Sequence, residues 1–327
     1  MNAKINGDSK ALWFTAPGHA EWRDETLAAP AAGQMRIRAI YSAISRGTES
    51  LVFQGRVPVS EYTRMRAPFQ SGEFPFPVKY GYASVGEVES GEADLVGRRV
   101  FALHPHQTAY VLSHEAALIL PDGVPPLRAV LGANMETALN ALWDSGAAPA
   151  SRIAVIGAGV VGALVAYLAG RLPGAEVTLV DIQPERARLA AAFGVGFRAP
   201  DRAPADCDIV FHASGSAAGL ATALACAGDE ATVVEMSWYG DAQTPVALGG
   251  AFHSRRLRLI SSQVGKVAPS HRSRWSYRRR LAAALALLAD PKLEVLLEPA
   301  CPFASLPDRL ATILAPGSGI LCQPIAY

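Results

Sequence analysis

Short apolar runs separated by Gly, Pro and polar clusters dominate the N-terminal third of the chain. Four of these runs, at 36–45, 84–89, 98–103 and 108–113, have the alternation and β-branched content of strands. A turn-rich cluster, PDGVPP at 121–126, follows them, and the apolar spacing then becomes helical. The pattern therefore predicts a β-rich N-terminal part that ends at this cluster.

From residue 152 onward, strand-like and helix-like segments alternate. The strand-like segments are RIAVIG, EVTLVD, DIVFHAS, ATVVEMS and LRLISSQ, and helical spacing lies between most of them. Such alternation implies crossover connections, and it predicts a parallel sheet with helices on both faces. An amphipathic helix at 275–289 and a short closing strand complete a predicted α/β fold.

An uncharged run at 153–170 is long enough to make a membrane-spanning helix an alternative. The run begins with β-branched residues, is interrupted by glycines, and is followed within a few residues by a second apolar strand. A buried strand, a tight turn and a buried helix explain this order better. We therefore expect no membrane-spanning segment and no membrane partner.

Charge and cysteine content narrow the class of protein further. Lys and Arg (30) nearly balance Asp and Glu (29), so the net charge of +1 supports no general attraction to nucleic acid. The cysteines form no CxxC pair, which disfavours a disulfide scaffold or a four-cysteine zinc site. The polar N-terminus lacks the apolar core of a secretory signal. A cytoplasmic protein is expected.

A G-x-G-x-x-G pattern, with glycines at Gly157, Gly159 and Gly162 around Val160 and Val161, follows a predicted strand and opens a predicted helix. In a dinucleotide-binding turn the first glycine permits the sharp bend and the second lets the backbone approach a pyrophosphate. The third lets helix and strand pack closely. The spacing and context therefore predict a dinucleotide site, with close packing alone as the alternative.

Asp181 ends the next predicted strand, about 20 residues after the glycines, as this kind of site requires. A carboxylate there accepts hydrogen bonds from ribose hydroxyls and repels a 2′-phosphate, which favours NAD over NADP. Ile182, next to Asp181 in the sequence, is expected to contact the same ribose end of the cofactor. Arg186 is a candidate phosphate ligand, although we expect it on the exposed face of the following helix.

With this motif and the β-rich segment before it, the chain resembles the medium-chain dehydrogenase/reductase superfamily over nearly its whole length. The resemblance implies a GroES-like β-rich catalytic domain at 1–122 and 266–327, and a Rossmann NAD-binding domain at 123–265. It also implies a small-molecule substrate and a homodimer. The strand near LRLISSQ is a candidate interface.

Both zinc-ligand motifs of the family's zinc enzymes are altered in this chain. Ser45 stands in place of the ligand cysteine within Ile44–Glu49, and Tyr82 in place of the ligand histidine within Gly81–Gly86. Hydroxyls are poor zinc ligands beside thiolate and imidazole. The chain is thus similar to a zinc-lacking branch with the motif S-x-x-S-x-G-T-E, and locally similar to bacteriochlorophyllide hydroxyethyl dehydrogenases. No metal site is expected.

This resemblance places Ser45 and Tyr82 at the active site. Without a metal, a hydroxyl or carboxyl group must polarise the substrate oxygen, so Tyr82 is the candidate proton donor. Thr48 and Glu49, next to Ser45, are candidates for relaying the proton. The structural alternative is that Tyr82 packs against its neighbours and Glu49 pairs with an arginine.

Further cofactor contacts follow from the same resemblance. Arg46 is expected at the pyrophosphate, and Thr137 near the nicotinamide. Ser214 and Gly215 end the third strand of the nucleotide domain, on the adenosine side. Ser237, after the next strand, is expected beside the nicotinamide carboxamide, where the following bulky residues narrow the pocket.

Two other groups of residues keep alternatives open. His104 and His106 could share a metal with Glu136, although surface or loop histidines are the simpler interpretation. The arginines near the last long helix could bind an anionic substrate group, but a solvated helix face is the favoured explanation. These arginines are Arg255, Arg256, Arg258, Arg272, Arg274, Arg278, Arg279 and Arg280.

The sequence therefore predicts an NAD(H)-dependent, zinc-independent oxidoreductase that interconverts an alcohol and a carbonyl. Three alternatives remain open: a zinc-dependent alcohol dehydrogenase, an enone or quinone reductase, and a dinucleotide-binding redox sensor without turnover.

Overall fold

The computed structural model describes residues 9–327, which form two compact units. The first comprises the chain up to Ala133 with Leu285–Ala289 and Leu297–Tyr327, and the second comprises Asn134–Ala284 and Asp290–Leu296. Residues 1–8, on which the expected absence of a secretory signal rests, lie outside the described residues.

These unit boundaries differ from the expected ones at both junctions. Residues 123–133 belong to the first unit, where the buried Arg128 donates from Nε to the Leu288 carbonyl at 2.6 Å. Residues 266–284 belong to the second, where Arg280 contacts Glu136. The turn-rich cluster predicts neither of these two arginine contacts.

The elements are numbered in chain order. The strands are β1 (Ser9–Ala16), β2 (His19–Glu25), β3 (Gln34–Ile44), β4 (Ser71–Gly72), β5 (Val78–Lys79), β6 (Ser84–Ser90), β7 (Arg99–Ala102), β8 (Ala109–Ser113), β9 (Ala117–Ile119), β10 (Arg152–Ile156), β11 (Glu176–Val180), β12 (Gly196–Arg198), β13 (Cys207–His212), β14 (Ala227–Glu235), β15 (Arg258–Ser261), β16 (Cys301–Pro302) and β17 (Gln323–Ala326). The helices are α1 (Arg46–Phe53), α2 (Pro126–Ala129), α3 (Gly132–Ser145), α4 (Val160–Ala169), α5 (Ala187–Phe193), α6 (Ala217–Cys226), α7 (Tyr277–Leu287) and α8 (Leu306–Leu314). Shorter helical turns lie at Val59–Glu61, His114–Ala116, Pro184–Arg186, Pro200–Arg202, Leu248–Phe252, Pro291–Leu296 and Phe303–Ser305.

Two β-sheets build the first unit. One has the strand order β16-β17-β3-β6-β7-β9, with β8 also pairing β3, and the other has the order β2-β1-β5-β4. β3 is central because it pairs with β17, β6 and β8, all antiparallel. Met35, Ile37 and Ala39 alternate along it and are buried in one apolar cluster. The period of two seen in the sequence therefore places one face of β3 in the core.

A single six-stranded sheet organises the second unit, in the order β12-β11-β10-β13-β14-β15. Every pairing in it is parallel; Ile153 of β10, for example, lies opposite Val177 of β11 and Ile209 of β13. Starting from β10, the chain builds outward to one side and then to the other, which is the order of a doubly wound Rossmann sheet. The predicted α/β fold with a β-rich part and a parallel sheet is confirmed.

The apolar run at 153–170 divides between β10 and α4, with the glycine-rich turn between them. Among the described residues, no helix has the length and apolar character needed to cross a membrane.

Candidate active site

The predicted dinucleotide turn joins β10 to α4 in the second unit. Gly157 has a φ of +101°, and a Cβ placed there would lie 2.7 Å from the backbone nitrogen of Ser214. A Cβ on Gly162 would overlap the carbonyl group of Gly157 and lie 3.1 Å from its carbon. Both positions require glycine, because the bend and the close approach of helix to strand leave no room for a side chain.

The backbone at the middle glycine of the turn faces open space. Gly159 is exposed, and no heavy atom of the described residues lies within 4 Å of a Cβ placed on it. α4 begins directly after it, so the N–H groups of Val160 and Val161 have no acceptor within the helix. Such N–H groups bind phosphate oxygens, and the turn could therefore hold the pyrophosphate of a dinucleotide.

Asp181 follows β11, and backbone hydrogen bonds fix its carboxylate against the turn. Its Oδ2 accepts a hydrogen bond from the Ala158 N–H at 2.6 Å, and its Oδ1 accepts one from the Gln183 N–H at 2.8 Å. Ile182, next in the chain, has 82% of its surface exposed. A fixed carboxylate beside an uncovered apolar side chain suits the ribose and base of an adenosine.

Arg186 does not lie on an exposed helix face, so that expectation is wrong. Its exposed fraction is only 7%. The chain forms a 3₁₀ turn at Pro184–Arg186 before α5 begins at Ala187, and the tighter turn changes the direction of the Arg186 side chain from that of a continuous α-helix.

The four predicted catalytic residues come together in the first unit. β3 runs directly into α1, which brings Ser45, Thr48 and Glu49 to the first turn of this helix. The Tyr82 hydroxyl lies close enough to the side chains of Ser45 and Thr48 to interact with them, and close enough to Glu49 to be affected by its charge. Tyr82 itself remains partly exposed. A phenol flanked by two hydroxyls can present its proton to a ligand.

Burial raises the pKa of Tyr82 to about 12. The hydrogen bonds from Ser45 and Thr48 oppose this rise, and the negative charge of Glu49 adds to it. The group is therefore protonated throughout the physiological pH range, which suits a proton donor better than a base.

Behind this phenol, a chain of buried hydrogen bonds extends from Glu49. Glu49 Oε1 accepts the N–H of Ser45 at 2.7 Å, and Glu49 Oε2 lies 3.0 Å from His106 Nε2. His106 Nδ1 lies 2.8 Å from Ser42 Oγ, which in turn lies 2.8 Å from the Tyr327 hydroxyl. Ser42, Glu49 and His106 are all fully buried.

If Glu49 is ionised, the donors and acceptors of this hydrogen-bond network run in a single direction. A carboxylate only accepts, so His106 Nε2–H donates to it and the bare Nδ1 accepts from Ser42. Ser42 Oγ then accepts from Tyr327. Each polar side-chain atom of this hydrogen-bond network then has a partner, and the network fixes the Glu49 carboxylate beside Tyr82. The alternative in which Glu49 pairs with an arginine is not what the structure contains.

His104 and His106 lie in the loop between β7 and β8, as expected, but they are buried there and not at the surface. His104 stacks on Tyr110 with ring centroids 3.7 Å apart, and burial lowers its pKa to about 3. His106 packs so closely on Gly81, whose φ is +117°, that a Cβ there would lie 2.9 Å from the imidazole. Tight packing, which a loop-like HPH sequence does not reveal, explains the difference.

The candidate histidines and the two residues at the altered ligand positions do not fit a zinc ion. Both ring nitrogens of His106 are engaged, and His104 uses Nδ1 on the Pro105 carbonyl at 3.0 Å. Ser45 and Tyr82, at the altered ligand positions, offer only hydroxyls to a metal. Within residues 9–327, no three His, Cys, Asp or Glu side chains are grouped in a way that could hold a metal.

Arg46, expected at the pyrophosphate, instead caps a helix of the first unit. Its Nε, Nη1 and Nη2 donate to the carbonyls of Ile313, Ile320 and Ala315, respectively, at 2.5–2.8 Å. These carbonyls lie at and just beyond the C-terminal end of α8, where peptide oxygens lack intrahelical donors. All three nitrogens of the guanidinium are thus used within the first unit.

Ser214, Gly215 and Ser237 lie at the carboxyl ends of β13 and β14. Ser237 Oγ accepts the N–H of Gly215 at 3.0 Å, which joins the two loops. Ser214 Oγ lies 2.6 Å from Nε2 of the fully buried His212, whose Nδ1 lies 2.7 Å from Glu235 Oε2. This end of a doubly wound sheet is where ligands bind.

α3 positions the last predicted cofactor residue, Thr137, which is partly exposed. Its neighbour Glu136 is buried and takes a hydrogen bond from Arg280 Nε at 3.0 Å. Arg280 is itself buried and also bonds to Asn140 and to two backbone carbonyls. Arg280 is therefore no part of a solvated helix face, and Glu136 is the anionic partner of this arginine in α7.

Sequence reasoning missed His212, Glu235, Ser42 and Tyr327 as members of polar networks. A signal was available for the first two, because each ends its strand directly after at least two apolar residues. Ser42 and Tyr327 carry no comparable signal, since they meet only when β17 pairs with β3.

Comparison with known proteins establishes the fold. No family model matches the chain. A zinc-binding dehydrogenase of Sinorhizobium meliloti 1021 bound to NADP is 17% identical with a TM-score of 0.77, covering 98% of this chain and 99% of its own. A short chain alcohol dehydrogenase of Escherichia coli CFT073 complexed with NADH is 16% identical with a TM-score of 0.76, at 98% and 99% coverage.

L-idonate 5-dehydrogenase of Escherichia coli K-12 MG1655 is 14% identical with a TM-score of 0.79, and the match covers 98% of each chain. At these identities the similarity is one of fold, and it extends over almost the whole length of each chain.

Proposed function

We propose that this protein is a nicotinamide-dependent oxidoreductase that interconverts an alcohol and a carbonyl without a metal. The observation that carries the proposal is the glycine-rich turn: Gly157 and Gly162 exclude side chains, Gly159 opens to free space, and Asp181 is fixed beside them. The NADP and NADH bound to two proteins of the same fold support a dinucleotide there.

A bound nicotinamide supplies or accepts the hydride. The chain's own residues manage the proton. Tyr82 donates a hydrogen bond to the substrate oxygen and, as the carbonyl is reduced, gives up its proton from the phenol oxygen. Ser45 and Thr48 hold that oxygen in place and stabilise the phenolate that forms, because both hydroxyls can donate to it.

Glu49 acts through position and charge. Its carboxylate keeps the phenol protonated until the substrate takes the proton, since two neighbouring negative charges are unfavourable. His106, Ser42 and Tyr327 hold Glu49 in place by the buried hydrogen bonds described above. The donor set at Ser45 and Tyr82, hydroxyls rather than thiolate and imidazole, supports the proposal that no zinc takes part.

NAD is the proposed cofactor, and substitution of Asp181 tests this choice of NAD over NADP. We expect NADH to bind at least about tenfold more tightly than NADPH, because the carboxylate repels a 2′-phosphate. Asp181→Asn keeps an acceptor oxygen but loses the charge, so the ratio of the two dissociation constants should fall toward one. Fluorescence titration with NADH and with NADPH measures the two dissociation constants. Glu185→Gln, an exposed neighbour with the same charge change, should leave the ratio as in the unmodified protein; equal changes in both variants would argue against Asp181.

The pH dependence of carbonyl reduction tests Tyr82. Since its pKa is raised to about 12, the phenol is protonated well below that pH and loses its proton only as the pH rises toward 12. We therefore expect kcat to show no basic limb from Tyr82 between about pH 6 and 10. Steady-state rates across this range provide the measurement. A limb with a midpoint below pH 10 that is absent from the residual rate of Tyr82→Phe would contradict the assignment.

The proposed reaction is tested by NADH oxidation against a panel of aldehydes, ketones and conjugated enones. Turnover of simple aldehydes or ketones is expected, with enones reduced only at the carbonyl. Reduction confined to the enone double bond favours an enone reductase, and tight NADH binding without turnover on any compound favours a redox sensor.

A further inference from the structure

A serine, a histidine and a glutamate form a connected group at the carboxyl ends of β13 and β14 in the second unit, and the proposed proton transfer from Tyr82 does not use it. Ser214 Oγ lies 2.6 Å from His212 Nε2, and His212 Nδ1 lies 2.7 Å from Glu235 Oε2. Ser214 is exposed, His212 is fully buried, and the Glu235 side chain is 15% exposed. An exposed hydroxyl, a buried imidazole and a carboxylate in this order is the arrangement that activates a serine nucleophile.

The hydrogen bonds around Glu235 determine which imidazole nitrogen is protonated. Glu235 Oε1 accepts the N–H of Ser237 at 2.8 Å, and Oε2 accepts the Tyr239 hydroxyl at 3.1 Å. Burial opposes ionisation of Glu235, but the hydrogen bonds from His212 and Ser237 outweigh it and lower the pKa of this carboxyl. An ionised Glu235 requires the proton on Nδ1 of His212. The bare Nε2 then faces the Ser214 hydroxyl, as a general base must.

The first turn of α6 is shaped around this group. A Cβ on Gly219 would lie 2.8 Å from His212 Nε2 and would overlap Ser214 Oγ, so a glycine is needed there for the hydroxyl and imidazole to meet. Ser216 caps the helix by accepting the Gly219 N–H at 3.0 Å, and its Oγ lies 3.0 Å from Ser214 Oγ. The N–H groups of Ala217 and Ala218 have no acceptor within α6 and could stabilise a nearby oxyanion.

We propose that Ser214 is a nucleophile activated by His212 and Glu235, and that the second unit hydrolyses small carboxylic esters at this site. Ser214 Oγ attacks the ester carbonyl as its proton passes to His212 Nε2. The C–O bond to the alcohol breaks, and the alcohol leaves with the proton from His212. Water then attacks the acyl–Ser214 ester, giving its proton through His212 to Ser214 Oγ as the carboxylic acid is released. No oxidant or reductant is consumed.

The test is covalent labelling with an uncharged fluorophosphonate, followed by peptide mass spectrometry. The label should be found on Ser214. Ser214→Ala should lower the labelling rate at least about 100-fold, and His212→Gln similarly, because an unactivated serine reacts poorly. Ser270→Ala, which removes another exposed serine hydroxyl of the second unit that lies 2.9 Å from a histidine nitrogen, should retain labelling within about threefold. Circular dichroism and thermal unfolding show which variants fold.

Should His212→Gln fail to fold, Glu235→Gln offers the same test, since it keeps the shape of the carboxylate and removes its charge. Hydrolysis of p-nitrophenyl butyrate should show a burst of one nitrophenol per chain that is lost with Ser214→Ala. Label on another residue, or unchanged labelling when His212 or Glu235 is substituted, would overturn the proposal. The Tyr82→Phe variant should label normally, so this activity and carbonyl reduction can fail independently.

Discussion

Tyr82→Phe is expected to lower kcat for carbonyl reduction by at least about 100-fold, since a positioned general acid typically contributes between about 100-fold and 10,000-fold. The substitution removes only the hydroxyl that Ser45 and Thr48 hold. The ring remains, so the fold and the dissociation constant for NADH should change by less than about twofold. Stopped-flow or steady-state NADH oxidation with the best carbonyl of the panel, together with NADH titration, measures both quantities.

Tyr80→Phe is the matched control for this substitution. Tyr80 is buried, and its ring centroid lies 6.0 Å from that of Tyr82. Tyr80→Phe therefore removes the same hydroxyl group from a neighbouring aromatic side chain. We expect its kcat to remain within about threefold of the unmodified protein. If Tyr82→Phe retained comparable activity, Tyr82 would have no part in proton transfer.

The second large effect is expected on stability. His106→Ala should lower the free energy of unfolding by about 3–5 kcal/mol, because it leaves the Glu49 carboxylate buried without its partner. Both side chains are completely buried, and His106 Nε2 is 3.0 Å from Glu49 Oε2. Urea denaturation monitored by circular dichroism measures the change, with the dependence on urea checked to be the same in both proteins.

Adding Glu49→Gln to His106→Ala separates the cost of a buried carboxylate without its hydrogen-bond partner from the cost of lost packing. The double variant no longer buries a charge, so it should regain about 1 kcal/mol or more relative to His106→Ala. A loss below about 1 kcal/mol in His106→Ala, or no recovery in the double variant, would mean that the pair does not hold Glu49 in place.

The fold was predictable because its signals are local in sequence. Strands such as β10 and β13 contain continuous apolar runs, at residues 153–156 and 209–211, as burial on both faces of a parallel sheet requires. The glycine-rich turn was predictable for a related reason, since Gly157 and Gly162 mark backbone positions where side chains do not fit. The spacing of Asp181 follows from the length of one strand–helix–strand unit.

The polar networks could not be predicted in the same way because their members are distant in sequence. His106 meets Glu49 and Ser42 across 57 and 64 residues, and nothing local distinguishes a buried histidine from one in a loop. Arg46 was assigned by position in a motif, yet its partners are carbonyls near residue 315, more than 260 residues away. Motif position gives the location of a residue on the backbone but not the direction of a long side chain.

The central claim is that this chain transfers hydride between a nicotinamide and a carbonyl carbon. The most direct measurement uses NADH carrying deuterium at C4 with the carbonyl compounds of the panel, followed by mass spectrometry of the products. We predict alcohol product with one deuterium on the former carbonyl carbon, formed in amounts equal to the NADH oxidised and largely lost with Tyr82→Phe. Saturable NADH binding with no deuterium in any product would contradict the claim.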